Sequence, residues 1–200
     1  MRVTPDMIKE LREITGAGIL DCKEALEAAD CNLERAQQTL REKGLARAAK
    51  KADRVAEQGL IEAYVHMGKA GALVELNCET DFVARTAEFQ DLAHDLAMQV
   101  VATRPQYVQP EDIPEAVLEA QKAKFREEIA DQNKPDHIVE KIIEGKLRKF
   151  FEEACILNQP FIKDEDQTVR DVITAAVAKI GENIVLRRFV HLELERVVEP

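Results

Sequence analysis

The chain has 200 residues, 46% of them hydrophobic and 33% charged, with a net charge of −10; this describes a well-charged globular protein and excludes a disordered one. At this length a fold can bury roughly 70% of the surface exposed by the unfolded chain, so neither disulfides nor a metal is needed to hold it together. The acidic balance argues against a nucleic-acid binder, which presents a basic face, and no apolar run approaches the ~20 residues of a membrane span.

The first 44 residues read as three short helices. Thr4 is a good N-cap and Pro5 suits the first helical position; Met7, Ile8, Leu11 and Ile14 then form one apolar stripe, ended by Gly16-Ala17-Gly18. A second stripe follows at Cys22, Ala25, Leu26 and Ala29. The third, at Leu33, Ala36 and Leu40, is capped by Asn32 and closes at Lys43-Gly44. A bundle so small is marginally stable and is more like a recognition module than an enzyme core. Residues 45–57 carry Arg47, Lys50, Lys51 and Arg54 among alanines. No aromatics interleave these cations, so they read as a partly helical, basic linker, with a nucleic-acid patch as the sharper alternative.

The period then changes to two. Ile61, Ala63, Val65 and Met67 alternate with Glu62, Tyr64 and His66, predicting a half-buried strand with the apolar set inward. Gly68-Lys69-Ala70-Gly71 turns the chain into a second strand over 72–78, and lacks the spacing of a phosphate-binding loop. An amphipathic helix follows on Phe89, Leu92, Ala93, Leu96, Ala97 and Val100, stopping before Arg104-Pro105. Residues 115–153 predict two antiparallel helices broken at Asn133-Lys134-Pro135. Val117, Phe125 and Ile129 supply apolar positions on one, and Ile138, Ile142, Leu147 and Phe150 on the other. Asn158-Gln159-Pro160 reads as a turn, 168–180 as a last helix stopped by Gly181, and Ile184, Leu186, Arg188, Val190, Leu192 and Leu194 as a final strand. The expected fold is α+β: a three-helix module over 1–44, a linker over 45–57, and a body over 58–200. In that body a small antiparallel sheet is covered by helices, and a helical hairpin over 115–153 projects from it.

Little in this chain looks like a reaction centre. The cysteines Cys22, Cys31, Cys78 and Cys155 lie 9, 47 and 77 residues apart, with no C-x-x-C and no histidine at ligand spacing, so they read as reduced thiols in a cytoplasmic protein. The start of the chain shows no apolar segment before a small-residue cleavage site, so no secretory signal is expected. His66, His94, His137 and His191 are isolated, and His94 falls on the polar side of its helix, where an ordinary surface residue is expected. The carboxylate pairs Glu127-Glu128 and Glu152-Glu153 are sequence neighbours that do not face each other. No catalytic residue, metal ligand or cofactor is expected. Charge is uneven: residues 1–55 hold 11 basic and 10 acidic side chains, and residues 56–200 hold 17 and 28, so the body is strongly acidic and direct nucleic-acid contact is disfavoured.

The junction after the second strand, residues 77–84 (NCETDFVA), places polar and aromatic residues together. By pattern, Asp81 caps the next helix and Phe82 is a core phenyl. The alternative is that both project from the junction as an anchor for a partner's pocket.

Five ordered motifs bear on that choice: LREITGAGILDCKEALEAA at 11–29, AAKKA at 48–52, ELNCETDFVAR at 75–85, NQPF at 158–161 and KIGENIVLRRF at 179–189. Together they closely resemble the elongation factor Ts family, over essentially the whole chain. The resemblance implies a guanine-nucleotide exchange factor for elongation factor Tu, with an N-terminal module of the ubiquitin-associated type. It implies that Thr80, Asp81, Phe82 and Val83 disturb the magnesium site of that GTPase, Phe82 wedging between two helices. Arg12, Ile19, Leu20 and Lys23 would dock a GTPase helix, and His66 matches a position used for contact. Longer members carry two tandem bodies where this chain has one; short members pair two chains, so a homodimer and a two-to-two complex are implied. Two other classes remain as rivals: a three-helix adaptor fused to an unrelated enzyme body, for which residues 80–83 would be irrelevant, and a ribosome-associated RNA binder.

Overall fold

The computed structural model describes residues 2–130 and 135–194. The chain forms two compact units, each assembled from separated segments. The first takes the chain through Gly59 together with Asn77–Phe89 and Ile173–Val185, and the second takes Leu60–Leu76, Gln90–Val172 and the chain from Leu186 on.

The first unit begins with a helical bundle. Helix α1 (Pro5–Thr15) is capped by the Thr4 hydroxyl, which accepts from the Met7 N–H. It ends at Gly16, whose φ of 65° suits a residue without Cβ and whose N–H returns to the Arg12 carbonyl at 2.8 Å. Helix α2 (Ile19–Ala28) and helix α3 (Leu33–Ala49) follow, the latter capped by Asn32 on the Arg35 N–H at 2.9 Å. Leu11, Cys22, Ala25, Leu26, Ala29, Ala36 and Leu40 form the bundle's core, all of them positions of the three stripes, while Met7, Ile8 and Leu33 of the same stripes are only partly buried against it. Ile14, read as part of the first stripe, is exposed.

Helix α3 does not stop at Gly44. Leu45-Ala46-Arg47-Ala48-Ala49 are good helix formers, and their propensity outweighs the cost of about 1 kcal/mol of one internal glycine. A Cβ on Gly44 would stand 3.4 Å from that of Ala178, so the small residue also permits close packing. The extension brings Arg47 to Asp21, where the guanidinium makes two bonds at 2.7 and 3.1 Å. That bond chiefly holds the Asp21 carboxyl below the usual carboxylate range and raises Arg47.

The second unit contains most of a three-stranded antiparallel sheet. Strand β1 (Gln58–His66) and strand β2 (Ala70–Cys78) are joined by a turn at Met67 and Gly68. Both turn residues have positive φ (51° and 68°), and the Lys69 N–H bonds the His66 carbonyl at 2.9 Å, so this is the primed hairpin turn that suits strand twist. Helix α4 (Asp81–Ala84) is a single turn, and helix α5 (Ala87–Thr103) follows it. Leu92, Ala93, Leu96, Ala97 and Val100 are buried as the sequence predicts. Buried Gln99 donates to Gln159 and to the Pro160 carbonyl and accepts from the Ile162 N–H.

Helix α6 (Glu115–Ala130) and helix α7 (Asp136–Ala154) share a small core of Phe125, Ile129 and Ile143 with Val139, Ile142 and Leu147 around it. Val117, expected to face inward, is exposed, and Leu118 packs instead beside Ile113 and Cys155. Of the break expected between these helices, Asn133 and Lys134 lie outside the described residues; Pro135 is the N-cap of α7. Where a simple turn was expected, strand β3 (Pro160–Phe161) pairs antiparallel with strand β4 (Asp164–Thr168). Helix α8 (Val169–Ile180) ends at Gly181 with φ 90°, and strand β5 (Val185–Glu193) completes the sheet in the order β1-β2-β5.

One face of that sheet reverses the sequence reading. Glu62 and Tyr64 of β1 point toward α5, where the His94 Nδ1 meets a Glu62 oxygen at 2.9 Å and the two rings of Tyr64 and His94 sit edge to face at 5.5 Å. A polar residue is tolerated inward because it finds a partner there. His94 is thus half-buried and engaged, against the expectation of an ordinary surface residue. Ile61, Val65 and Met67 of β1 and its turn, with Leu73, Val190, Leu192 and Leu194, are instead each at least 50% exposed.

Candidate functional site

Residues 80–83 fall where strand β2 gives way to helix α4, within the first unit. Thr80 has extended backbone, and its hydroxyl accepts from the Val83 N–H at 3.4 Å, so Thr80 caps this turn and Asp81 is its first residue. The pattern-based assignment of the cap to Asp81 is therefore displaced by one position. The Asp81 carboxylate is half-exposed and bonds the Arg85 guanidinium at 2.7 Å. Phe82 is 78% exposed. A large apolar side chain so placed contributes almost nothing to the core, which removes the core-phenyl reading; Ala84 and Phe89 are the buried residues of this stretch.

What holds the turn lies just before it. Cys78 is buried, its thiol donating to the Thr80 carbonyl at 3.1 Å; burial, with Glu182 nearby, pushes that thiol up, so it is an inert packing group and no nucleophile. The Glu182 carboxylate accepts from the N–H groups of Glu79 and Thr80 and from the Thr80 hydroxyl at 3.1, 3.0 and 2.7 Å. Sequence reasoning missed this role. The signal was the Gly-Glu-Asn run after a helix, where turn geometry delivers two polar side chains, but its partners lie about a hundred residues away in sequence.

The N-terminal residues singled out from the sequence are also on the surface. Arg12 and Lys23 are exposed, Lys23 pairing loosely with Glu27 at 3.8 Å. Ile19 and Leu20, the first residues of α2, are 58% and 75% exposed, and Ile14 at the end of α1 is exposed with them. These apolar groups flank the Gly16-Ala17-Gly18 turn. His66 lies in the second unit at the end of β1, exposed, its Nδ1 2.9 Å from the Tyr64 hydroxyl.

Among the described residues, no three His, Cys, Asp or Glu side chains are grouped so as to hold a metal ion, and no helix is long and apolar enough to cross a membrane. All four cysteines are free. Burial pushes the Cys155 thiol up to about 11.

The family model described as Elongation factor TS matches residues 7–176. The Elongation factor Ts of Carboxydothermus hydrogenoformans is 55% identical over 193 residues, covering 96% of this chain and 89% of that protein. That of Thermodesulfovibrio yellowstonii is 54% identical over 194 residues, covering 97% of each, and that of Alkaliphilus metalliredigens is 48% identical over 199 residues. Likeness of this extent places the chain among the translation elongation factors. It belongs to the elongation factor Ts family.

Proposed function

We propose that this chain is a guanine-nucleotide exchange factor: it binds elongation factor Tu in its GDP form, opens the nucleotide site and releases GDP so that GTP can enter. The observation that carries this reading is the 78% exposure of Phe82 on a turn tied down at its root. A GTPase holds its nucleotide through Mg²⁺ and backbone N–H groups around the phosphates. Phe82 inserts between helices of the GTPase and Asp81 adds negative charge near the cation, with Thr80 and Val83 shaping the turn that carries both. Each of these weakens the grip on GDP, and the factor's preference for the emptied state is what drives release. Arg12, Ile19, Leu20 and Lys23 dock the N-terminal bundle on a GTPase helix, and His66 adds a contact from the sheet. In this reading the chain catalyses no covalent step, uses no cofactor, works in the cytoplasm and touches no nucleic acid directly.

The same proposal includes a homodimer and hence a two-to-two complex. Its support is the outward face of the sheet, where Ile61, Val65, Leu73, Val190 and Leu192 stand exposed in one chain. An apolar face of this kind is unusual on a protein that stays monomeric. The test of the exchange reading is release of labelled GDP from purified elongation factor Tu. Substoichiometric amounts of this protein should accelerate it, and a release rate unchanged at saturating protein would overturn the reading.

A further inference from the structure

The short segment after Gly181 grips two other segments of the first unit at once. Both oxygens of Glu182 are used on the root of the exposed turn: Oε2 accepts from the N–H groups of Glu79 and Thr80, and Oε1 from the Thr80 hydroxyl. Asn183, only 6% exposed, donates its backbone N–H to the Glu79 carboxylate at 2.7 Å. Its side-chain amide donates to the carbonyls of Ala52 and Arg54 at 3.2 and 2.7 Å, on the stretch that leaves helix α3. The Lys51 ammonium bonds the Gly181 carbonyl, and Arg54 approaches Glu79 at 3.5 Å. Gly181 makes the arrangement possible, because its φ of 90° ends α8 and turns the next two residues across these segments.

Helix α4 has four residues and cannot hold its own shape, since a helix that short never repays its nucleation. Phe82, being exposed, adds no burial to fix it. The direction in which Asp81 and Phe82 point is therefore set at the root. A loose turn would have to be ordered on binding, at a cost to the complex, whereas a tethered one is already in place. We propose that Glu182 and Asn183 are positioning residues for the turn at 80–83, Glu182 fixing its root directly and Asn183 tying that root to the exit of the N-terminal bundle. This rests on the exchange reading above.

The test uses the full chain carrying Glu182→Ala, Glu182→Gln or Asn183→Ala, with Phe82→Ala as reference. Two measurements are made: GDP release from elongation factor Tu over a range of factor concentrations, and amide hydrogen exchange of the factor alone. Glu182→Ala should lower the maximal release rate about tenfold, within the loss of up to about a hundredfold that misplacing a working group by an ångström can cause, with the half-saturating concentration within about twofold of normal, because docking surfaces are untouched. The amides of Glu79 and Thr80 should exchange about tenfold faster, while those of the bundle core keep their protection. Glu182→Gln retains an acceptor oxygen and should fall between; should Glu182→Ala not fold, this variant carries the test. Asn183→Ala should show the same split. A maximal rate equal to wild type in a folded Glu182 variant, where Phe82→Ala is slow, overturns the positioning role and leaves the exchange reading standing. If wild type itself leaves GDP release at its spontaneous rate, the exchange reading fails, and the amides alone decide whether Glu182 holds the turn: unchanged exchange at Glu79 and Thr80 overturns it.

Discussion

Two of the regions that leave apolar side chains in solvent do so in different ways. At residues 80–83 a single phenyl stands on one turn, surrounded by polar groups and held from behind by hydrogen bonds. On the outer face of the β1-β2-β5 sheet, seven large apolar residues lie exposed on strands or the turn and strand end beside them, with the Arg188–Glu75 ion pair among them. A point anchor suits a pocket in a different protein, where one well-placed side chain carries much of the affinity. A broad, flat face suits another broad face, and the simplest one available is the same face on a second copy. In the proposed reading the two regions serve two different partners, and each half of that proposal can be broken separately.

The largest effect is expected on the sheet. Leu192→Asp would place a charge on that face, on the edge strand β5, and, in a dimer built on it, bury the charge twice without a partner. Unpaired buried charge costs about 3 kcal/mol or more, which weakens self-association more than a hundredfold. Light scattering at micromolar concentration should give twice the 22.5 kDa of one chain for wild type and 22.5 kDa for the variant. A wild-type mass of one chain would break the comparison. The opposite face is the control: Leu76→Ala, fully buried in one chain, should cost about 2–5 kcal/mol of folding stability.

Next in size is Phe82→Ala. Exposed as it is, its loss should change unfolding free energy by less than about 0.5 kcal/mol. As an anchor it should reduce stabilisation of the nucleotide-free complex by about 2 kcal/mol, around thirtyfold. Urea unfolding and GDP release on one preparation separate these. Destabilisation with normal release would return Phe82 to the core and remove the point-anchor half of the comparison. Leu20→Ala should act differently and more weakly, raising the half-saturating concentration several-fold with the maximal rate unchanged, because it belongs to docking.

These expectations show which features of the molecule the sequence carried. Elements with a single buried stripe were legible: the bundle core of Leu11, Leu26 and Leu40, and α5 with Leu92 and Leu96, follow from spacing alone. The faces of β1 were not. Period two says that two faces differ, and only the surroundings say which one a chain covers by itself. His94 made room for Glu62 inside, and the apolar set was left outside. Phe82 was ambiguous for a related reason, since a phenyl after a strand fits a core or a surface equally well, and the motif decided what spacing did not. Glu182 was missed because its bonds join segments about a hundred residues apart, and the Gly-Glu-Asn run marks a turn without saying what its side chains reach.

The smallest effect concerns the helix extension that the sequence reading ended too early. Arg47 lies beyond Gly44 and reaches back to Asp21 with two hydrogen bonds, so the pair exists only because α3 continues. The bond to Arg47 lowers the Asp21 pKa in the folded chain, against the smaller opposing effect of burial. The sign follows from linkage: a carboxylate whose pKa is depressed by folding adds stability above its ordinary range near pH 4, and that stability fades as pH falls through the folded value. Asp21→Asn should therefore lower stability at neutral pH and make less difference below about pH 3. With the Arg47 side chain half exposed, solvent screening holds the effect under about 1 kcal/mol. Urea unfolding of both proteins at pH 7 and at pH 3 measures it, and raised salt at pH 7 should shrink the gap. A difference that grew toward low pH would mean that Asp21 is not stabilised as the anion by Arg47, and that the extension of α3 is held by its helix propensity alone.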